Sequence, residues 1–200
     1  MSYTLKDETY KGHTLRIESD NYAESPSEWD NEEAFLCGWH RSLWVPPPGM
    51  KDSRDTQAWL DAFRATHWIY PIEAYIHSGV CLALSGNGNF PDRQWDVSGN
   101  CGAVFLSKEH WKTRNSKKAQ AAALSMVNVW NQYLSGDVWG YVVEHEDWEE
   151  SCWGFFGDEY CEQEAKGVID WHVEQLRKDR QEQVKTWIRN KVPLLARVAA

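Results

Sequence analysis

The sequence predicts a single α+β domain in which a largely antiparallel, aromatic-rich sheet packs against two major helices and a short third helix. Three observations predict it. Short segments alternate aromatic or β-branched residues with polar ones, the period of a half-buried strand. Two long segments instead place apolar residues every three or four positions, the period of an amphipathic helix. The 200 residues, 42% hydrophobic and 26% charged, suffice to bury one core without disulfides.

The first elements in the chain are strands joined by polar segments. Residues 3–18 alternate weakly and are interrupted at Lys11 and Gly12, which predicts a polar hairpin near a sheet edge. Residues 34–40 form a short apolar run, typical of a buried strand. Residues 44–49 contain three consecutive prolines, which fix φ and remove N–H donors, so we expect a stiff connector there.

The middle of the chain holds a short helix and the clearest hairpin. Residues 55–63 predict the helix, with Asp52 or Ser53 as its cap. Residues 68–77 and 80–84 predict two strands around a Ser-Gly turn. The Gly/Asn/Pro-containing stretch that follows predicts a loop up to Gly102, and 103–106 predict another strand.

The last third begins with a long helix over 119–134 that Gly136 ends. Residues 139–145 then predict a strand, 151–156 its return strand, and a second long helix starts at Asp158. The apolar stripe of this helix is predicted to be Cys161, Ala165, Val168, Ile169, His172 and Leu176, with His172 a core histidine. The whole chain, 1–200, is expected to be one domain.

Beyond Leu176 the predicted helix becomes polar on nearly every face. Residues 177–200 are therefore expected to project as a C-terminal helical extension. Val184, Trp187 and Ile188 resume the apolar pattern there, and they are candidates for contacts with a partner helix or a second copy of the chain.

An acidic turn joins the two predicted strands at 139–145 and 151–156. Residues 137–164 carry ten carboxylates and no Lys or Arg. A longer loop is expected, because the Asn-Gly or Asp-Gly pair of a tight turn is absent. Trp148 is expected near its tip, in water. The candidate partner-binding residues are Glu144, Glu146, Asp147, Trp148, Glu149 and Glu150, and the alternative is a merely solvated turn.

The composition limits the classes of partner. A net charge of −9 argues against a nucleic-acid or anionic-membrane binder that relies on a basic surface. The charge is uneven, since residues 166–200 hold eight Lys or Arg against four Asp or Glu. Five cysteines without a CxxC pair predict a reduced, cytoplasmic protein, and no apolar run is long enough to span a membrane.

Four sequence motifs resemble a family of small acidic, functionally uncharacterised proteins encoded by tailed bacteriophages and prophages. The motifs are Ser-Pro-Ser-Glu-Trp-Asp-Asn at 25–31, His-Ser-Gly at 77–79, Trp-Asp at 95–96 followed by Gly102, and the segment from 133–141 to 152–160. The last motif is the most specific, and the resemblance covers most of 20–165. It implies a phage accessory protein acting in the bacterial host cytoplasm, a group that includes inhibitors of host defence.

Signatures of known chemistry are missing from the sequence, including phosphate-binding glycine loops, HExxH and the GxSxG elbow. The strongest enzyme candidate is a small hydrolase or transferase built from His77, Ser78, Asp96 and Cys101, which are expected at strand ends or in a Gly-rich loop. No spacing predicts three or four convergent metal ligands, so neither a metal nor a cofactor is predicted.

The function expected from the sequence is therefore non-enzymatic binding. A phage accessory protein would inhibit or redirect a host protein with a basic surface, most plausibly a nucleic-acid-handling defence protein, through the acidic turn. Direct nucleic-acid and membrane contacts are not expected. Two alternatives are a structural or virion-associated role and self-association through Val184, Trp187 and Ile188.

Overall fold

The structure, a computed structural model, describes residues 3–31, 33–50, 55–91, 93–114, 116–146 and 148–191. These residues contain nine strands and three α-helices. In chain order they are β1 Thr4–Tyr10, β2 His13–Ser19, β3 Ala34–His40, β4 Leu43–Val45, α1 Thr56–Arg64, β5 His67–Ile76, β6 Val80–Leu84, β7 Val97–Ser107, α2 Lys117–Ser135, β8 Val138–His145, β9 Trp148–Phe156 and α3 Asp158–Lys191.

The predicted α+β class is confirmed, with antiparallel strand pairs, two long helices and one short helix. The strands divide between two sheets, a division that the sequence did not predict. The chain also divides into two compact units, Met1–Asp20 with Trp139–Ala200, and Asn21–Val138. The single domain over 1–200 stays a prediction. None of the described helices is long and apolar enough to cross a membrane.

The first unit packs α3 against a four-stranded sheet of order β1-β2-β8-β9. Alternate residues of β2 and β8 face the helix, because side chains alternate across a strand. The core is made by buried side chains of these strands together with residues three or four apart on α3: Leu15, Ile17, Tyr141, Val143, Cys161, Ala165 and Ile169. The predicted stripe of α3 is confirmed up to His172, whereas Leu176 is exposed.

The second unit is built on a five-stranded sheet of order β4-β3-β7-β5-β6. Successive side chains of β7 point to opposite faces of the sheet and so contribute to two different cores. Val104 and Leu106 pack in a core that includes α2, while Ala103 and Phe105 pack with α1 residues Leu60 and Phe63. The sheet therefore carries α2 on one face and α1 on the other.

Several element boundaries differ from the sequence prediction. The loop expected over 85–102 is wrong in its last third, because β7 already begins at Val97 and pairs with β5. The cap of α1 is Asp55, whose carboxylate accepts from two backbone N–H groups, while Asp52 and Ser53 lie outside the described residues. Gly136 ends α2 in the left-handed conformation, as predicted.

Candidate metal centre

Three histidines of the first unit converge between its sheet and its helix. His13 is the first residue of β2 and His145 the last of β8, and these strands are antiparallel neighbours with Thr14 opposite Glu144. His172 lies on the buried stripe of α3. Strand alternation and helical periodicity therefore bring the three imidazoles together, and we call them the histidine triad.

The triad is compact and largely buried. Each histidine offers one ring nitrogen as a ligand atom, and these three nitrogens lie within 4.8 Å of one another. Nε2 of His13 is 2.7 Å from Nδ1 of His172. The rings of His13 and His145 stack with their centroids 4.4 Å apart. His13 is 1% exposed and His172 is 9% exposed, so water has little access to this pair.

The hydrogen bonds define the proton positions in the neutral triad. Nδ1 of His13 lies 3.1 Å from the Lys11 carbonyl oxygen, which can only accept, so this nitrogen carries the hydrogen and donates it. Nε2 of neutral His13 is then an acceptor, and Nδ1 of His172 donates to it. Metal-binding histidines usually donate from one ring nitrogen to a backbone carbonyl, a carboxylate or water, as Nδ1 of His13 does to Lys11, and bind the metal through the other nitrogen.

Burial keeps His13 in the form that binds metals. Desolvation lowers the pKa of His13, the hydrogen bond to the Lys11 carbonyl opposes this, and the positive charge that His145 and His172 can carry lowers the pKa further. His13 is thus neutral at pH 7. Because metal ions bind the neutral imidazole, no proton has to be displaced from Nε2 of His13 before binding.

Trp148 covers the triad. Its ring is stacked on His172, with centroids 4.0 Å apart and 11° between the planes, and it meets His13 edge-on at 5.8 Å. The expectation of a solvent-exposed Trp148 at the turn tip is therefore wrong. Trp148 is the first residue of β9, and its side chain lies on the sheet face that packs against α3.

The acidic turn is tighter than expected. Only residues 146 and 147 separate β8 from β9, so the prediction of a longer loop is wrong. Glu146 has a φ of +49°, the positive value that a tight hairpin turn requires even without Gly. Asp147, one of the candidate partner-binding residues, lies outside the described residues.

The turn carboxylates have different environments. Glu144 accepts from Arg16 at 2.7 Å, so its charge is partly neutralised within the sheet. Glu150 is half-buried, whereas Glu146 and Glu149 are exposed. In the described part of the chain no ion pair involves these last two residues. Among the described candidate residues, Glu146 and Glu149 are therefore the exposed carboxylates outside any ion pair, and Trp148 is not an exposed anchor.

Of the four candidate enzyme residues, all of which the structure describes, only His77 and Asp96 form a hydrogen bond with each other. Nδ1 of His77 is 3.1 Å from Oδ2 of Asp96, with 65% of the His77 side chain exposed. Ser78 is exposed in the adjacent turn. Cys101 is 2% exposed, its Sγ lies 3.6 Å from the Ile72 carbonyl oxygen, and burial raises the pKa of its thiol to about 11. Cys101 is therefore a core residue and not a nucleophile beside His77.

The candidate residues near the end of α3 are all exposed. Residues 177–191 continue the helix with exposed side chains throughout. The exposed fractions of Val184, Trp187 and Ile188 are 51%, 61% and 40%. Residues 192–200 of the predicted extension lie outside the described residues.

The triad has the donor set of a transition-metal site. In a tetrahedral zinc site with Zn–N bonds of about 2.05 Å, ligand nitrogens lie about 3.3 Å apart. His13 and His172 would therefore separate by several tenths of an ångström on metal binding, and the hydrogen that neutral His172 carries on Nδ1 would be carried on its Nε2 instead. Three protein nitrogens leave a fourth position for water or another ligand.

The sequence analysis missed the triad because its members lie at positions 13, 145 and 172. Motif searches depend on short spacings, and no short spacing is present. A weaker signal did exist for two of the three, since His172 falls on the predicted buried stripe of its helix and His145 ends a predicted half-buried strand, whereas the strand that begins at His13 was predicted only as part of a polar hairpin. Once two strands and a helix are known to pack together, a histidine on the packed face of each of them indicates a candidate shared site.

Comparison with known proteins adds no assignment: no family model, no curated protein and no solved structure matches this chain. The resemblance to the phage family stays a prediction.

Proposed function

We propose that this protein binds a divalent transition metal ion of the zinc class through His13, His145 and His172. The observation that supports the proposal is the convergence of three imidazoles, each offering a ligand atom within 4.8 Å of the others, in a largely buried place. Buried histidines alone also form hydrogen-bonded networks, so direct measurement of binding is the test.

The donor atoms select the class of metal. Imidazole nitrogen suits zinc, copper, nickel and iron, whereas magnesium and calcium prefer oxygen ligands. Glu144 precedes His145 in β8, so its side chain lies on the other face of the sheet, where it accepts from Arg16, and the ligand atoms that converge are those of the three histidines. We expect zinc, nickel and copper to bind, and magnesium and calcium to have no effect.

Metal binding at this place would hold the first unit together. The three ligands belong to β2, β8 and α3, and folding must bring these elements together before the site exists. A ligand that binds only the folded state stabilises it, by about 2.7 kcal/mol when the free metal concentration is 100 times Kd.

Zinc binding is measured by isothermal titration calorimetry on the metal-free full chain. The exposed thiols are first removed by Cys81→Ser and Cys152→Ser, so that they do not bind zinc themselves. One zinc ion per chain is expected, and loss of a ligand in His145→Gln should weaken binding about 100-fold. His110→Gln, which changes a half-exposed histidine of the second unit, is the matched control.

The melting temperature of the metal-free variants separates loss of the ligand from loss of the fold. His145 is only partly buried, so His145→Gln should fold without metal. Absence of zinc binding in the parent chain, or unchanged affinity in a folded His145→Gln variant, contradicts the proposal.

We also propose a partner-binding role, favoured by the exposed and unpaired side chains of Glu146 and Glu149 in the described turn. In this role the protein is a phage accessory protein in the bacterial host cytoplasm. It inhibits or redirects a host protein with a basic surface, such as a nucleic-acid-handling defence protein. Opposite charge speeds and orients such encounters.

Affinity capture from infected cells, followed by mass spectrometry, tests this second role. A basic host protein should be captured by the parent chain and lost with Glu146→Lys and Glu149→Lys together. Reversal of two exposed carboxylates of the second unit, Glu24→Lys and Glu109→Lys, makes the same change in net charge and should leave capture intact. Equal capture by both double variants contradicts the role of the turn.

A further inference from the structure

The second unit contains a cavity of about 420 Å³ beside the C-terminal end of α1. Its wall includes residues of β3, β5 and β7, and the segment after β7 contributes Lys108 and Arg114. Cavities of about 300 to 1,000 Å³ are typical of small-molecule sites. We call this site, defined by Arg64, Lys108, Arg114, Trp39, Trp68 and Asn100, the basic cavity.

The charge of the basic cavity is opposite to that of the whole chain. The chain has a net charge of −9. None of the described residues that line this cavity is Asp or Glu, whereas Arg64, Lys108 and Arg114 all line it. Cations grouped in a concave surface focus a positive potential that attracts anions.

Lys108 is held in place by the end of a helix. Its ammonium group donates to the carbonyl oxygens of Arg64 and Ala65, at 2.7 and 3.1 Å, and lies 4.7 Å from the centroid of the Trp68 ring. An ammonium group has three N–H donors. One donor therefore remains for a ligand, and little side-chain freedom has to be lost on binding.

Arg114 is similarly restrained. Its guanidinium group donates to the Ile69 carbonyl oxygen at 2.9 Å and lies 5.4 Å from the centroid of the Tyr70 ring. A guanidinium group has five N–H donors in a planar fork that matches phosphate and carboxylate oxygens. Arg64 is less restrained than Lys108 and Arg114, because the Asp61 oxygen with which its guanidinium group pairs is 3.8 Å away, beyond hydrogen-bond distance.

The remaining wall is mostly apolar and includes the ring of Trp39. Pro71 and Ala103 face each other on β5 and β7, and neither has a long side chain. The indole N–H of Trp39 donates to the Asn100 carbonyl oxygen at 2.6 Å, which fixes the ring beside this floor. An indole ring fixed in this way beside small side chains can stack on a planar ring of a ligand, as aromatic side chains do with nucleobases.

We propose that the basic cavity binds a small phosphate-bearing ligand with a planar ring, of the nucleotide class. Lys108 and Arg114 contact the phosphate, and Trp39 packs against the ring. The cavity lies wholly in the second unit and does not depend on the proposed metal centre or on the acidic turn.

Binding is tested on the full chain by isothermal titration calorimetry with three probes. Adenosine and guanosine monophosphate carry both features, adenosine and guanosine carry only the ring, and inorganic phosphate carries only the charge. At least one monophosphate should bind about tenfold more tightly than its nucleoside and than inorganic phosphate, and its affinity should fall as salt is raised. Equal affinity for monophosphate and inorganic phosphate contradicts the ring contact.

Variants locate the binding in the cavity. Arg114→Gln should weaken monophosphate binding about tenfold, because a charge-assisted hydrogen bond is lost. Trp39→Leu should weaken it by a similar factor, with little effect on inorganic phosphate. Arg41→Gln removes an exposed cation of the same unit that does not line the cavity, and should bind like the parent chain.

Circular dichroism establishes that each variant is folded, and Arg114→Lys provides a second variant that keeps the charge but loses the planar fork. Arg114→Lys should bind between the parent chain and Arg114→Gln. Absence of heat with every probe at millimolar concentration, or unchanged affinity in both Arg114→Gln and Trp39→Leu, overturns the proposal.

Discussion

At the scale of single residues, the close approach of β3 to β7 depends on a glycine. A Cβ atom on Gly102 would lie 2.4 Å from the Cys37 carbonyl oxygen and 3.1 Å from the Cα atom of Gly38. Both obstacles are backbone atoms of β3, which cannot move without disturbing its pairing with β7. The tertiary structure therefore requires a residue without a Cβ atom at this position, whereas the sequence marked Gly102 as the end of a loop and as part of one motif.

We predict that Gly102→Ala destabilises the protein by about 1 to 3 kcal/mol, the usual cost of forcing extra atoms into a packed place. Gly99→Ala, on the same strand with nothing within 4 Å of the added atom, is the control and should change stability by less than about 0.5 kcal/mol. Urea denaturation followed by fluorescence measures both. Equal midpoints for the two variants would show that β3 and β7 are not so closely packed.

A second residue-scale prediction concerns Glu162 on α3. Its carboxylate accepts from Lys166 and from Lys6, the latter at 2.6 Å, and these bonds lower the pKa of Glu162. A carboxyl group with a lowered pKa in the folded state stabilises the fold above its unfolded pKa of about 4.5 and loses this contribution as the pH falls through the folded value.

Glu162→Gln should accordingly lower stability by about 0.5 to 1 kcal/mol at pH 7, a value limited by the partial exposure of the group. Denaturation at pH 7 and pH 3 compares the variant with the parent chain. The difference should shrink at pH 3, because this pH lies below the ordinary pKa of 4.5 and nearer to the lowered pKa of Glu162 in the folded state, so less of the ionic contribution remains. A difference that is the same at both pH values rules out the ionic cause.

At the scale of elements, α3 has two halves with different supports. The buried residues Cys161, Ala165, Ile169 and His172 all lie in its first half. The second half is exposed and is supported by neighbouring ion pairs such as Glu174 with Arg177 and Glu182 with Lys185. Exposed pairs of this kind contribute little to stability, because water screens them, so the second half is expected to be the weaker part of the helix.

We predict that truncation after Leu176 reduces the helical circular dichroism signal but changes the free energy of unfolding by less than about 1 kcal/mol, because little apolar surface is buried there. Sedimentation tests the role of Val184, Trp187 and Ile188. If they join copies of the chain, the full chain should be larger than a monomer and the truncated chain should not. A large loss of stability on truncation would show that the second half contributes to the core.

At the scale of the whole molecule, the first unit is assembled from the two ends of the chain. β2 pairs with β8, and the entire second unit lies between them in sequence. The histidine triad depends on that pairing, so the proposed metal should act on one unit only.

Hydrogen exchange with and without zinc measures this selectivity. Zinc should slow amide exchange in β2, β8 and the first half of α3, because opening of these elements would break the site. Exchange in β3, β5 and β7 should stay the same. Equal protection of both units would show that zinc acts elsewhere or on the protein as a whole.

The sequence by itself determined the types and approximate places of most elements, because hydrophobic period, glycine ends and turn residues are local properties of the chain. The hairpin around Ser78, the end of α2 at Gly136 and the apolar stripe up to His172 were predicted in this way. Only the tertiary structure decided which strands share a sheet, that Trp148 lies over His172, and that three histidines distant in sequence meet. These three features depend on packing between elements that are distant in sequence. A local pattern of apolar residues predicts that a face is buried, but it does not predict which other element covers that face.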